Sequence, residues 1–138
     1  MSHETATMIR ALSSAALPLP RFRYSPVTQA GPWFIFSGMI ALDARSGALE
    51  PGGPGSEMTR ILGNLTAALP ELGLKLEDLA SARIFTTRFD EFPAINAAWE
   101  NWLGEASRPP ARSAVGVAAL PLGATVEVEF AFYKDGSQ

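Results

Sequence analysis

Arg112 is the residue whose position best suits recognition of a small anion, because it follows Pro109, Pro110 and Ala111. Two consecutive prolines force an extended backbone, so the arginine begins its strand with a fixed direction. A guanidinium held in this way can grip a carboxylate through two parallel hydrogen bonds. Taken alone, an arginine at the start of a strand is more often a solvated surface residue, so Arg112 needs support from other features.

Two further features could complete a site around a carboxylate. Glu127 and Glu129 share one face of the last strand with Thr125 and Tyr133. Solvent exposure is the commoner explanation for acids on the open face of a strand. Ser37 and Gly38 interrupt the apolar run 33–36 with a hydroxyl and an unhindered backbone, which either a bulge or a ligand contact would explain.

The composition excludes several other chemistries. The 138 residues include no cysteine and one histidine, His3, so thiolate nucleophiles and zinc ribbons are excluded. A histidine-based metal site or a serine-histidine-aspartate triad would depend on that terminal residue, and we expect neither. The chain has 11 lysines and arginines and 14 aspartates and glutamates, which gives a net charge of −3. This balance provides no general attraction for nucleic acids, so we do not expect them as partners.

The N-terminal segment lacks the features of a targeting signal. Residues 1–20 have neither a basic start nor a long apolar stretch, and no apolar run approaches the roughly 20 residues needed to cross a bilayer. We therefore expect a cytoplasmic protein. Residues 1–20 are predicted to form a loosely packed extension, followed by a single domain over residues 21–138.

The spacing of apolar residues predicts two helices that must position these candidate residues. In the first, Ser56 is expected to cap the first turn, Pro70 to kink or stop the helix, and Gly73 to end it. The second is expected to run from a cap at Asp90 to about Gly104. Each helix has one apolar face, formed by Met58, Ile61, Leu62, Leu65, Leu69 and Leu72 in the first and by Phe92, Ile95, Trp99, Trp102 and Leu103 in the second.

Five strands are predicted around these helices, at 27–29, 33–36, 80–87, 113–119 and 125–133. The last is the clearest, because apolar and mostly polar residues alternate from Thr125 to Tyr133. The resulting order β-β-α-β-α-β-β indicates an α+β fold in which two helices cover one face of a mixed sheet. The other face must be covered or solvated.

Several segments resemble the reactive intermediate deaminase family, also called the Rid/YjgF family. The resemblance extends from about Tyr24 to Tyr133. Its most specific part is the C-terminal pattern Pro110-Ala111-Arg112-Ser113, Val115, Val117, Leu120-Pro121 and Val126-Glu127-Val128-Glu129. Supporting segments are Phe34-Ile35-Phe36-Ser37-Gly38, Asn64-Leu65 and Phe92-Pro93-Ala94-Ile95-Asn96 with Trp99.

The resemblance implies a chorismate-mutase-like fold that assembles as a homotrimer. The uncovered sheet faces would meet in a central barrel, and ligand clefts would lie between neighbouring subunits. It also implies hydrolysis of enamines and imines such as 2-iminopropanoate and 2-iminobutanoate to 2-oxo acids and ammonia, a form of metabolite damage control. No cofactor and no metal are expected for this reaction.

The resemblance also assigns roles to individual residues. Arg112 would bind the substrate carboxylate, Glu127 would orient or activate a water, and the backbone carbonyl of Ala114 would help to hold that water. The remaining substrate-binding positions are Tyr24, Ser37, Gly38 and Asn96. An iminium carbon is already electrophilic, so a carboxylate anchor, a placed water and a proton acceptor would suffice.

Some positions depart from the family pattern. Ala114 replaces a frequent cysteine, Met39 a frequent glutamine and Gly116 a frequent acidic residue, while Phe22-Arg23 replaces the usual Gly-Pro before Tyr24. These changes leave the preferred substrate side chain open.

Two other functions also remain open. One is a trimer that binds small carboxylates without turning them over, and the other, less supported by the acidic charge, is ribonuclease activity.

Overall fold

The computed structural model describes residues 8–105 and 107–135, in which two helices pack on one face of a mixed six-stranded sheet. The sheet order is β1-β2-β3-β6-β4-β5, and all neighbours are antiparallel except β4 and β5. This confirms the predicted α+β fold class. The elements in chain order are β1 Ile9–Leu12, β2 Val27–Ala30, β3 Trp33–Phe36, α1 Pro54–Ala68, β4 Leu79–Thr86, α2 Phe92–Leu103, β5 Ala111–Gly116 and β6 Val126–Tyr133.

The N-terminal strand β1 is absent from the order expected from sequence. It pairs with β2 from Ile9 opposite Ala30 to Leu12 opposite Val27, and Leu17 after it is buried in the core. The expectation of a loosely packed extension is therefore wrong for these residues. Most of β1 is exposed, so backbone pairing with β2 holds it, and no long apolar pattern marks it in the sequence. Residues 1–7, including His3, lie outside the described residues.

Both predicted helices are present, but neither is capped as expected. The residue before α1 is Gly53, and Pro54 begins the helix, so Ser56 already lies inside the first turn. Proline suits this place because its φ is preset and its missing N–H would have had no partner there. As predicted, α1 stops before Pro70, and Gly73 closes the short turn that follows with a φ of 73°.

The predicted cap of α2 is also wrong. Asp90 lies in a 3-10 turn before the helix and accepts hydrogen bonds from Arg88, at 3.2 Å to Nε and 3.1 Å to Nη2. An aspartate that binds a neighbouring guanidinium is not available to the first N–H groups of a helix. The helix instead begins at Phe92 after Glu91, and it ends at Leu103 before Gly104, as the sequence predicts.

The two faces of the sheet differ sharply. On the face toward the helices, alternate residues of β3, β4 and β6 are buried among the apolar sides of α1 and α2. We call the other side the open face. It carries exposed Trp33, Ile35, Val115 and Tyr133, and no helix of the described part of the chain packs over them. No helix within residues 8–105 and 107–135 is long and apolar enough to span a membrane.

Candidate active site

The guanidinium of Arg112 is held by one face of α2. Its Nη1 donates a 2.8 Å hydrogen bond to Oδ1 of Asn96. Its Cζ lies over the rings of Phe92, 5.5 Å from the centroid, and of Trp99, 5.3 Å from the centroid. These three residues lie on one face because helix positions separated by three or four neighbour one another. The helix thus orients the arginine.

Arg112 is exposed and takes part in none of the ion pairs found between described residues. A planar, stacked guanidinium with unused N–H groups is suited to a bidentate carboxylate. Asn96 contacts Arg112 and therefore acts as a positioning residue.

Ala114 lies two residues further along β5, at the edge of the sheet. Gly116 is opposite Thr86, and the N–H of Val117 donates to the carbonyl of Thr86 at 2.9 Å. Because the backbone groups of successive residues face opposite sides of a strand, Ala114 turns its N–H and carbonyl toward the edge, away from β4. The carbonyl could therefore accept a hydrogen bond from a water or from a neighbouring molecule.

Glu127 is half-buried on the open face of β6, opposite Phe85. Burial, together with the nearby carboxylate of Glu129, raises the pKa of Glu127 above its usual range. A raised pKa makes a carboxylate a better proton acceptor when it is ionised, and it widens the pH range in which the group is protonated and able to donate. Glu127 could therefore accept or donate a proton.

Gly38 makes room for this carboxylate. Met39 and Val128 exchange two backbone hydrogen bonds, of 2.8 and 3.0 Å, and this pairing places Gly38 beside Glu127. A Cβ at position 38 would overlap the carboxylate oxygen and would lie 2.8 Å from its Cδ. The glycine interrupting the apolar run is thus needed for close approach, not for a bulge.

Ser37 and Tyr24 complete the surroundings of Glu127. The hydroxyl of Ser37 donates to the carbonyl of Ser25 at 2.6 Å, and its N–H donates to the carbonyl of Pro26 at 2.9 Å. These bonds tie the end of β3 to the segment before β2, which carries the exposed ring of Tyr24. The Ser37 oxygen retains lone pairs that can accept a hydrogen bond from a ligand.

A cavity of about 540 Å³ lies against this cluster. Tyr24, Ser37, Gly38 and Glu127 are part of its wall. The rest of its wall is mostly apolar and comes from residues 18–22, 40–42 and 121–122. We call this space the Glu127 cavity. It brings together four of the seven residues that the sequence assigns to the site.

The other three candidates, Arg112, Asn96 and Ala114, lie elsewhere. Arg112 pairs with Ala82 of β4, whose side chain is buried on the face toward the helices. Glu127 pairs with Phe85 of β4. Phe85 also pairs with Val115, which is exposed on the open face. Arg112 and Glu127 therefore lie on opposite faces of the sheet within one chain. Each chain thus carries two separate groups of candidate residues.

Two contributions escape sequence analysis. Phe92 and Trp99 are predicted only as apolar residues of α2, yet their rings also hold Arg112. Glu57 on α1 is buried, and it accepts hydrogen bonds of 2.8 Å from both the N–H and the hydroxyl of Thr125, which fix the start of β6 two residues before Glu127. The sequence did contain a signal for the role of Glu57, because this acidic residue lies four positions before Ile61 and therefore on the apolar side of the helix.

A metal centre has no evident ligand set. No group of three or more histidine, aspartate or glutamate side chains is close enough to hold an ion within residues 8–105 and 107–135. Glu127 and Glu129 share a strand face, but Glu129 lies 3.8 Å from the guanidinium of Arg83.

Comparisons with known proteins agree with this architecture. A family model described as Endoribonuclease L-PSP matches residues 14–133. A 2-iminobutanoate/2-iminopropanoate deaminase from Dermatophagoides farinae is 35% identical over 120 residues, which cover 87% of this chain and 92% of that protein. A RutC family protein from Aquifex aeolicus is 32% identical over 126 residues, covering 91% and 100% of the two chains.

The fold is matched equally well by a solved structure. RidA from the Antarctic bacterium Psychrobacter sp. superposes with a TM-score of 0.82 at 27% identity, covering 90% of this chain and 98% of that one. Both groups of candidate residues thus lie on a fold that this chain shares with RidA along almost its whole length. On these grounds the chain belongs to the Rid/YjgF family, the group that the family model calls Endoribonuclease L-PSP.

Proposed function

We propose that this protein hydrolyses reactive 2-imino acids, and the enamines in equilibrium with them, to 2-oxo acids and ammonia. The observation that carries the proposal is the Glu127 carboxylate, whose raised pKa and position at a cavity wall suit it to activate a water. Relatives at 35% and 32% identity are named 2-iminobutanoate/2-iminopropanoate deaminase, which supports the same chemistry.

The complete site is proposed to form between two copies of the chain. Arg112 and Glu127 lie on opposite faces, so a single ligand must be held by Arg112 of one protomer and Glu127 of its neighbour. Because β5 is an edge strand, its side chains and the carbonyl of Ala114 can reach a second molecule. A closed ring of three copies would also bury the exposed apolar residues of the open face.

The reaction follows from the groups present. Arg112 binds the carboxylate of the iminium acid and places its C=N carbon beside Glu127. Ionised Glu127 takes a proton from a water as the water oxygen bonds to that carbon and the C=N electrons move to nitrogen. Protonated Glu127 then gives the proton to the amino group, the C–N bond breaks to release ammonia, and the hydroxyl oxygen forms the C=O bond as its proton passes to Glu127 and from there to the ammonia. Iminium acid and water thus become 2-oxo acid and ammonium.

The alternative function is a non-catalytic trimer that binds carboxylates, since Arg112, held by Asn96, Phe92 and Trp99, would bind such a ligand without catalysis.

One experiment distinguishes the deaminase from the carboxylate-binding trimer. An amino-acid oxidase generates 2-iminopropanoate in the presence of semicarbazide, which traps imine that has not been hydrolysed. Lower semicarbazone formation, with matching release of ammonia, is expected on adding the protein. No change in trapping at micromolar protein would leave only the binding function.

A further inference from the structure

We infer that the Glu127 cavity selects 2-imino acids with large apolar side chains, and that Leu19, Phe22 and Leu122 form the surface that binds that side chain. This inference rests on the proposed function and names its substrate class. It extends the site away from the reacting carbon, into a part of the chain that the departures from the family pattern leave unassigned.

The cavity is too large for the smallest imino acid. A water takes up about 30 Å³ of liquid volume, whereas the cavity holds about 540 Å³. The six non-hydrogen atoms of 2-iminopropanoate occupy a small part of this space, so there is room for a longer substrate beside the Arg112 that the proposed neighbouring copy contributes. Pockets that bind tightly bury most of the ligand surface, so a longer substrate matches the cavity better.

The wall combines the two kinds of surface that such a substrate requires. Tyr24, Ser37 and Glu127 supply polar groups, and the imine would react beside Glu127. The wall also includes large apolar side chains that are exposed within this chain: Leu19 is 85% exposed, Phe22 83% and Leu122 53%. Large apolar side chains that are exposed together at a cavity mark a binding surface, since contact with a ligand would remove them from water.

Leu122 also has an unusual backbone. Its φ of 58° is in the left-handed region, and among the described residues it is the one non-glycine with positive φ. Such a conformation costs a branched side chain about 1–3 kcal/mol and is typical of functional sites. Glycine would fit the turn without strain, so a leucine there, with its side chain exposed at the cavity, indicates a use for the side chain.

Arg21 is the one basic residue of the cavity wall, and it could favour an acidic side chain instead. Its Nη2 already donates a 3.3 Å hydrogen bond to the carbonyl of Gly47. That bond draws the guanidinium toward the turn at residues 43–47. The apolar residues therefore dominate the wall that a side chain would meet, and the experiment includes an acidic substrate to test this.

The test compares imino acids made by amino-acid oxidases from alanine, leucine and glutamate, with semicarbazide competition as the readout. We expect kcat/KM for the leucine-derived substrate to exceed that for the alanine-derived one by about 10-fold, as three extra carbons are buried. Leu122→Ser and Phe22→Ser should each lower the ratio of the leucine-derived to the alanine-derived kcat/KM by about 3- to 10-fold. Ile9→Ser, at an exposed apolar residue outside the cavity, is the matched control.

The outcomes separate this inference from the proposed function. Three outcomes would overturn the inference and leave the deaminase function intact. They are hydrolysis of all three substrates without preference for the leucine-derived imine, fastest turnover of the glutamate-derived imine, and equal losses of activity on every substrate in Leu122→Ser. If no imine is hydrolysed, the proposed deaminase function is wrong. Calorimetry of pyruvate and 4-methyl-2-oxopentanoate binding then tests the apolar surface by itself. Tighter binding of the longer acid, lost in Leu122→Ser, supports the apolar surface, and equal binding contradicts it.

Discussion

At the scale of single residues, the geometry around Arg112 explains why a lysine could not replace it. The guanidinium is planar, stacked on two rings and fixed by Asn96, and a lysine ammonium can neither stack in this way nor bind a carboxylate through two parallel N–H groups. The charge would remain, but the direction of the bound carboxylate would not. Arg112 is therefore expected to contribute orientation as well as affinity.

Arg112→Lys should lower kcat/KM for 2-iminopropanoate by about 30- to 1000-fold, which corresponds to roughly 2–4 kcal/mol of lost transition-state stabilisation. Semicarbazide competition measures the rate, and circular dichroism checks the fold. Arg45→Lys, at an exposed arginine in the turn after β3, is the matched control and should retain full activity. Equal rates for Arg112→Lys and the parent would show that Arg112 does not anchor the substrate carboxylate.

Glu127→Gln should slow turnover and leave carboxylate binding mostly intact. An amide can hydrogen-bond the water but is a far poorer proton acceptor, and removing a general base typically costs about 10²- to 10⁴-fold. Steady-state kinetics should therefore show a lower kcat with little change in KM. A variant with higher KM and unchanged kcat would show that Glu127 binds substrate and does not transfer protons.

The same substitution should change how stability depends on pH. Because the pKa of Glu127 is raised in the folded chain above its ordinary value of 4.5, the folded state holds this proton to a higher pH than the unfolded state does. Stability is therefore lost as the pH rises from 4.5 through the folded pKa, and the loss persists above it. Urea unfolding at pH 7 should find Glu127→Gln more stable than the parent, with the difference disappearing below pH 4.5.

At the scale of the elements, the site depends on how β3 and the residues after it meet β6. The pairing of Met39 with Val128 sets Gly38 against Glu127, and Glu57 fixes the first residues of β6 from α1. Asn64 of the same helix donates a 2.8 Å hydrogen bond to the carbonyl of Leu42, which holds the chain beyond this contact. Contacts from β3 and from α1 thus place the carboxylate of Glu127.

Gly38→Ala should displace the Glu127 carboxylate, because the added Cβ would overlap it. A misplacement of about 1 Å can cost about 100-fold in rate, so we expect a 10- to 100-fold lower kcat. The matched control is Gly63→Ala on α1, where an added Cβ meets nothing within 4 Å and alanine favours the helix. If both alanine variants retained parental kcat, close approach at Gly38 would not position the base.

The elements also show what a sequence can and cannot predict. The alternation along β6 and the apolar faces of both helices are local patterns, and the structure confirms them. The caps failed because they depend on competing partners: Asp90 binds Arg88, and Pro54 begins α1 before Ser56 is reached. The strand β1 was missed because pairing with β2, which is distant in sequence, decides its conformation.

At the scale of the whole molecule, the residue types of the site were predictable and their separation was not. Arg112 and Glu127 are recognisable from local motifs, but the face on which each lies follows from the register of β4 with both β5 and β6. That register places them on opposite sides of one sheet. The exposed apolar residues of the open face, Ile35, Val115 and Tyr133 among them, are the surface that a second copy would cover.

Trimer formation should be visible in the mass of the protein. Burying the open face between copies removes large apolar side chains from water, which favours a closed assembly at micromolar concentration. Light scattering coupled to size exclusion should therefore give three times the mass of the 138-residue chain. Val115→Glu, which places a charge on the open face, should weaken the assembly, whereas Glu100→Gln on the exposed side of α2 should not.

A shared site makes a stronger prediction, which mass alone cannot test. Arg112→Lys and Glu127→Gln should each be nearly inactive, but trimers refolded from an equal mixture should regain activity. A site is intact when its arginine comes from a Glu127→Gln copy and its glutamate from an Arg112→Lys copy, which random mixing yields in about a quarter of sites. The mixture should therefore recover roughly a quarter of parental kcat, while each variant refolded alone recovers none. Activity no greater than the average of the two variants, in trimers shown by mass spectrometry to be mixed, would place Arg112 and Glu127 in separate sites and refute the interfacial mechanism.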